Sequence, residues 1–139
     1  MTTCDSFAKI LKAKRDTNPG VCFATRMRND IEVEVMGRTT HSPTVLLMAF
    51  SYEDLDSKGN ALCLGEFVFK QNEVRPFLNA LSNHGIRVTS IHNHWLFENP
   101  RLIYVHWEAI MKPLEFARIS SRAMDIAMGK KVTKKGGRL

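Results

Sequence analysis

The sequence predicts an α+β fold: an antiparallel or mixed sheet built from hairpins, with helices packed on one face. Three observations carry this expectation. Runs that alternate apolar and polar residues, such as "IEVEVMG", recur along the chain, as half-buried strands require. Helical patterns with start and stop signals stand between them, near residues 5–15, 71–85 and 113–128. The resulting order, α-ββ-ββ-α-ββ-α, groups the strands in pairs. Its second half, residues 62–127, reads β-α-β-β-α, with the flavour of a split βαβ unit.

In residues 5–15, Asp5 or Ser6 can cap a short helix whose apolar face is Phe7, Ile10 and Leu11. "NPG" at 18–20 stops it. "VCFATRMR" and "IEVEVMG" read as two strands joined by a turn at Asn29–Asp30. In the second, Ile31, Val33 and Val35 alternate with Glu32 and Glu34. "TVLLMAFSY" reads as a strand buried on both faces, "EDLDSKGN" as a polar turn and "ALCLGEFVFK" as the returning strand, so 43–69 is a hairpin. Gly65 inside that strand signals a bulge or a close backbone approach.

"QNEVRPFLNALSNHG" is the best-marked helix. Asn72 can cap it, Pro76 lies in its first turns, Val74, Phe77, Leu78 and Leu81 form its buried stripe, and Gly85 ends it. A strand "IRVTSIHNHWL", a turn "FENP" and a strand "RLIYVHWEAI" follow. Pro113 then opens a last helix to about Met128, with Phe116, Ile119, Ala123 and Ile126 facing inward.

At 139 residues, with 44% hydrophobic and 24% charged content, the chain has the size and balance of one globular domain, assigned here to 1–128. Its apolar runs are too short to cross a bilayer, and its first residues lack the pattern of a secretory signal, so the default location is cytoplasmic. Cys4, Cys22 and Cys63 are odd in number, widely spaced and without a CxxC, and read as reduced thiols. The net charge of +6 belongs to a basic tail at 129–139: without Lys130, Lys131, Lys134, Lys135 and Arg138 the rest holds 15 basic and 14 acidic residues. A charge confined to a tail weighs against nucleic acid as the partner.

The stretch that can carry chemistry is "SIHNHWLFENPRLIYVHW", which holds three of the five histidines. On a strand, Ser90, His92 and His94 share one face, and on the next Leu102, Tyr104, His106 and Glu108 share one. A tight hairpin sets the strands about 5 Å apart, so His106 can lie beside His92 or His94. Three imidazoles with a carboxylate suit zinc, iron, copper or nickel, and three protein ligands with an open position is the catalytic zinc arrangement. The carboxylate candidates are Glu66, Glu108 and, in the turn and pointing to solvent, Glu98. His41 and His84 read as structural. No G-x-S-x-G, phosphate loop, H-E-x-x-H or dinucleotide fingerprint is present.

The segment "GEFVFKQNEVRPFLNALSNHGIRVTSIHNHWLFENPRLIYVHW" resembles the LppY/LpqO-like domain family. The shared pattern is an acidic strand residue (Glu66), an "E-V-x-P" helix (Glu73, Val74, Pro76), a strand ending in "H-N-H" (His92, Asn93, His94), an "E-x-P-R" turn (Glu98, Pro100, Arg101) and a later histidine (His106). His84 departs from the usual Asn, and Glu66 stands where aspartate is common. The resemblance implies that these histidines and the acidic residue form one recurring site, but names no reaction. Members with two such domains in tandem imply a homodimer for a single unit.

The expectation is a divalent-metal-binding protein with a His-rich pocket on the 86–108 hairpin; whether it is an enzyme stays open, and an enzymatic role would be metal-dependent with an unspecified substrate. His92, His94 and His106 are its metal ligands, and Glu66 is a fourth ligand or a general base. Arg101, Glu98 and Trp95 would contact a small-molecule ligand. The alternative is a non-enzymatic ligand-binding or assembly module without metal, using Trp95 and Trp107 as a partner surface.

Overall fold

The structure, a computed structural model, describes residues 2–132. Lys134, Lys135 and Arg138 of the basic tail lie outside them. The elements are α1 (Thr3–Ile10), β1 (Lys14–Asp16), β2 (Val21–Met27), β3 (Glu34–Val35), β4 (Arg38–Thr39), a single turn α2 (Pro43–Leu46), β5 (Leu47–Glu53), β6 (Ala61–Lys70), α3 (Val74–Leu81), β7 (Arg87–His92), β8 (Glu98–Asn99), β9 (Leu102–Met111) and α4 (Pro113–Ala127). The main sheet runs β1-β2-β5-β6-β9-β7 and a small one β4-β3-β8, with antiparallel pairing in both.

The α+β class and the split βαβ unit both hold. β6 and β7 each pair antiparallel with β9, which lies between them, and α3 makes the crossover. The helices cover one face of the main sheet, where α4 packs against β6 and β9 and is flanked by α1 and α3. Alternation on β6 and β9 sends Phe67, Phe69, Val105 and Trp107 to this covered face. The Trp107 indole donates its N–H to Ser120 Oγ of α4 at 3.0 Å and lies 4.8 Å, centroid to centroid, from Phe77 of α3. Gly65 sits opposite Trp107, and a Cβ there would stand 2.5 Å from the indole. It is a close approach, since the β5–β6–β9 register passes through it unbroken.

A buried ion pair fixes the start of α3. Arg28 donates to both carboxylate oxygens of Glu73, to Asp30 and to the Val68 carbonyl. Glu73 also accepts the Lys70 N–H at 2.7 Å. The cap of this helical segment is therefore the Glu73 carboxylate and not Asn72, because a charged acceptor reaching back one turn binds an orphan N–H more strongly than an amide does.

Several expectations are corrected. The first helix starts at Thr3 with Thr2 as its cap and ends at Ile10, because Lys12 adopts a positive φ and the chain turns into β1. β2 does not pair with the "IEVEV" segment. Its partners are β1 and β5, while Glu34–Val35 joins the small sheet. Ser42 caps α2 with Pro43 at its first position, so "TVLL" begins as a helical turn and β5 starts at Leu47. β5 buries one face only. Ile126 is exposed, since α4 turns it away from the sheet.

Cys4 and Cys22 are joined in a disulfide that ties α1 to β2, so they are not reduced thiols. Cys63 is the free one among the described residues, and it is buried. Cysteine usage thus gives no argument for a reducing compartment. No helix among the described residues is long and apolar enough to cross a membrane.

Candidate metal centre

The uncovered face of the main sheet carries the histidines. In the β6–β9 register Glu66 stands opposite His106, and both point away from the helices. The neighbouring strand β7 pairs Val88 with Trp107 but Ser90 with His106, so Thr89 is an extra residue, a β-bulge. This register decides the site. Were Thr89 paired regularly with His106, His92 would fall opposite Ile103 and point to the helix-covered side. With the bulge, His92 falls opposite Tyr104 and shares the face of His106.

His92 and His106 come together as stacked rings 5.0 Å apart, with their Nε2 atoms 3.1 Å from one another. Each ring turns its other nitrogen to an acceptor. His92 Nδ1 lies 3.4 Å from the Asn93 carbonyl, which can only accept, and His106 Nδ1 lies 3.7 Å from Glu66 Oε2.

His94 reaches the same place by a different route. β7 ends at His92, two residues earlier than His94 and four earlier than the alternation suggests, so His94 belongs to the following loop. Its ring stacks on Tyr104 at 3.7 Å and 7°, and lies 4.7 Å from His92. Tyr104 is a firm platform: it is 2% exposed, accepts the Trp95 indole N–H at 2.8 Å and donates its hydroxyl to the Val45 carbonyl at 2.7 Å. Burial pushes the His94 imidazole below its ordinary pKa, and the nearby His92 acts the same way. Neutral imidazole is the metal-binding form.

The imidazole nitrogens of His92, His94 and His106 all lie within 4.8 Å of one another, a grouping that can hold a metal ion. A tetrahedral site with zinc–nitrogen bonds of about 2.0–2.1 Å sets its ligand atoms about 3.3 Å apart, so the 3.1 Å pair needs almost no movement. Glu66 stands outside this trio, on the far nitrogen of His106.

Glu98 is corrected: its side chain is 0% exposed and does not point to solvent, because β8 pairs with β3 and covers it. One of its oxygens accepts the Leu102 N–H at 3.4 Å, and the other has no hydrogen-bond partner. Arg101 lies 3.6 Å from Glu98 and reaches the Trp95 carbonyl at 3.5 Å. Glu108 is engaged by Arg87 at 2.9 Å. Trp95 is half-buried with its N–H committed to Tyr104, and Trp107 is 1% exposed, which removes it from any partner surface. His41 and His84 are exposed and apart from the trio. Neither the bulge at Thr89 nor Tyr104 as the platform for His94 is legible in the residue pattern.

A family model described as Domain of Unknown Function (DUF1259) matches residues 5–126. No curated protein matches the chain, and no solved structure does.

Proposed function

The chain belongs to the Domain of Unknown Function (DUF1259) family, and since that description carries no activity we propose its function from the site: a protein that holds one divalent transition metal through His92, His94 and His106. One observation supports this most. The two Nε2 atoms of His92 and His106 face each other while each Nδ1 is turned to an acceptor. With both protons on Nδ1, two lone pairs meet at 3.1 Å, an arrangement that a shared cation relieves.

In this reading Glu66 orients His106 through its outer nitrogen and raises its basicity, as carboxylates behind ligating histidines do. It is a positioning group in place of a fourth ligand, and its second oxygen remains able to take a proton from a bound molecule. A divalent ion held by three imidazoles supplies Lewis-acid polarisation at its open positions, which is the basis for a metal-dependent enzyme. Zinc, iron, copper and nickel all accept this donor set. Arg101 braces the 93–101 loop instead of holding an anion. The motif also follows the LppY/LpqO-like pattern, and pairing of two units as a homodimer is part of the proposal; a monomeric mass by light scattering would remove that part.

Elemental analysis of protein purified without a histidine tag tests the reading. We expect close to one metal per chain, lost in His92→Ala and His106→Ala. Equal, near-zero content in all three proteins after incubation with zinc would reject it in favour of a metal-free binding module.

A further inference from the structure

A cavity of about 260 Å³ opens on the uncovered sheet face, directly beside the histidine trio. His106 and Glu66 form its border with the trio, Phe23, Ala49 and Leu64 give it an apolar floor, and Ser51 and Glu108 add polar edges. An apolar cavity of about 150 Å³ holds benzene, so this one has room for a single ring with a short substituent. It lies near the small end of ligand pockets.

Charge decides what that substituent is. No lysine or arginine is among the residues lining the cavity, whereas two carboxylates are. Arg87 neutralises Glu108 from the outer strand by bonding one of its oxygens, Oε2. Glu66 faces the His106 ring, and among the described residues no lysine or arginine forms an ion pair with it. In the metal-free protein an anion entering this space meets the Glu66 carboxylate with no lining lysine or arginine; of the lining hydroxyls, Thr89 already donates to the His106 carbonyl at 3.3 Å, which leaves Ser51. A cationic or hydrogen-bond-donating group would meet Glu66 at the edge of the metal centre.

We infer that this cavity is a substrate subsite for a small, one-ring-sized organic molecule bearing an amine or hydroxyl, its apolar body on Phe23, Ala49 and Leu64 and its polar group at Glu66. The inference rests on the metal reading only for the word substrate; binding in the cavity does not require the ion.

The test uses the full chain, metal-free and zinc-loaded, titrated with benzylammonium and with benzoate while backbone amide shifts are followed by NMR. Benzylammonium is expected to shift the amides of Ser51, Gly65 and Thr89 and to bind metal-free protein at least tenfold more tightly than benzoate. Ser51→Leu, which fills the cavity, is expected to abolish those shifts while leaving zinc uptake unchanged. Benzoate binding as tightly in metal-free protein, no benzylammonium shifts at those amides, or full binding by folded Ser51→Leu would each overturn the inference. Zinc uptake without benzylammonium binding sinks this subsite alone. Benzylammonium binding by a protein that takes up no zinc supports the cavity and sinks the metal reading alone.

Discussion

Glu66 and His106 are directly opposed across β6 and β9, with Oε2 of one 3.7 Å from Nδ1 of the other. The pairing is set by backbone register in the centre of the sheet, so it is as rigid as the sheet itself. It turns Nδ1 of His106 toward Glu66 and leaves Nε2 on the side of His92. Glu66→Gln keeps the size and removes the charge, and we expect metal affinity to fall about 10–100-fold with little change in thermal stability. Competition titration against a chelating dye measures this; unchanged affinity would deny Glu66 its positioning role.

The bulge at Thr89 makes a sharper prediction. Deleting Thr89 removes the bulge yet leaves Val88 opposite Trp107 and Ser90 opposite His106, so His92 keeps its face; inserting one alanine between Ser90 and Ile91 instead moves His92 opposite Ile103 and turns it to the helix-covered side. Metal uptake should survive the deletion and be lost on the insertion, while far-ultraviolet circular dichroism reports a folded α+β protein in both. Full uptake by the folded insertion variant would show that register does not set the site.

Tyr104 positions the loop histidine by stacking and is itself held by Trp95 and Val45. Tyr104→Phe retains the ring face and should retain three-imidazole ligation. Tyr104→Leu removes it, and cobalt(II) spectra should then match those of His94→Ala. A cobalt spectrum in Tyr104→Leu identical to that of the unaltered protein would contradict this.

On the covered face, Gly65→Ala would drive a methyl group into the Trp107 indole, where ideal geometry leaves 2.5 Å. Overpacking of this kind costs about 1–3 kcal/mol, since Trp107 is also tied to Ser120 and cannot withdraw freely. Urea unfolding should show a lower midpoint with an unchanged slope.

The cysteines divide by environment. The Cys4–Cys22 disulfide spans a sequence separation of 18, and removing such a link costs about 3 kcal/mol by chain entropy. Burial pushes the Cys63 thiol up to about 11, so at pH 8 it remains protonated and unreactive. Iodoacetamide at that pH should label no cysteine in the native, unreduced protein and one after unfolding without reductant. Rapid native labelling would contradict the burial of Cys63.

These residues also show what could be read from the sequence. Alternation in "IEVEVMG" announced exposed and buried faces, but only tertiary pairing assigns Glu34 and Val35 to β8 instead of β2. His92 and His106 were legible as a potential pair, and the acidic residue as their companion. The bulge was not legible, because Thr89 is an ordinary strand residue and an extra position is defined only against a partner strand. Strand periodicity extends to His94, yet His94 arrives through a loop held by Tyr104. The disulfide is not legible in the sequence because Cys4 and Cys22 lie in elements that meet only when α1 docks against the sheet. Glu98 sat in a polar turn, and its burial depends on β3 pairing over it.

X-ray absorption on zinc-loaded, untagged protein tests the central claim most directly. The account predicts three imidazole nitrogens at about 2.0–2.1 Å with a light oxygen donor completing the shell, and one imidazole fewer in His94→Ala. A shell with sulfur, or one made of oxygen donors with no imidazole, would contradict it.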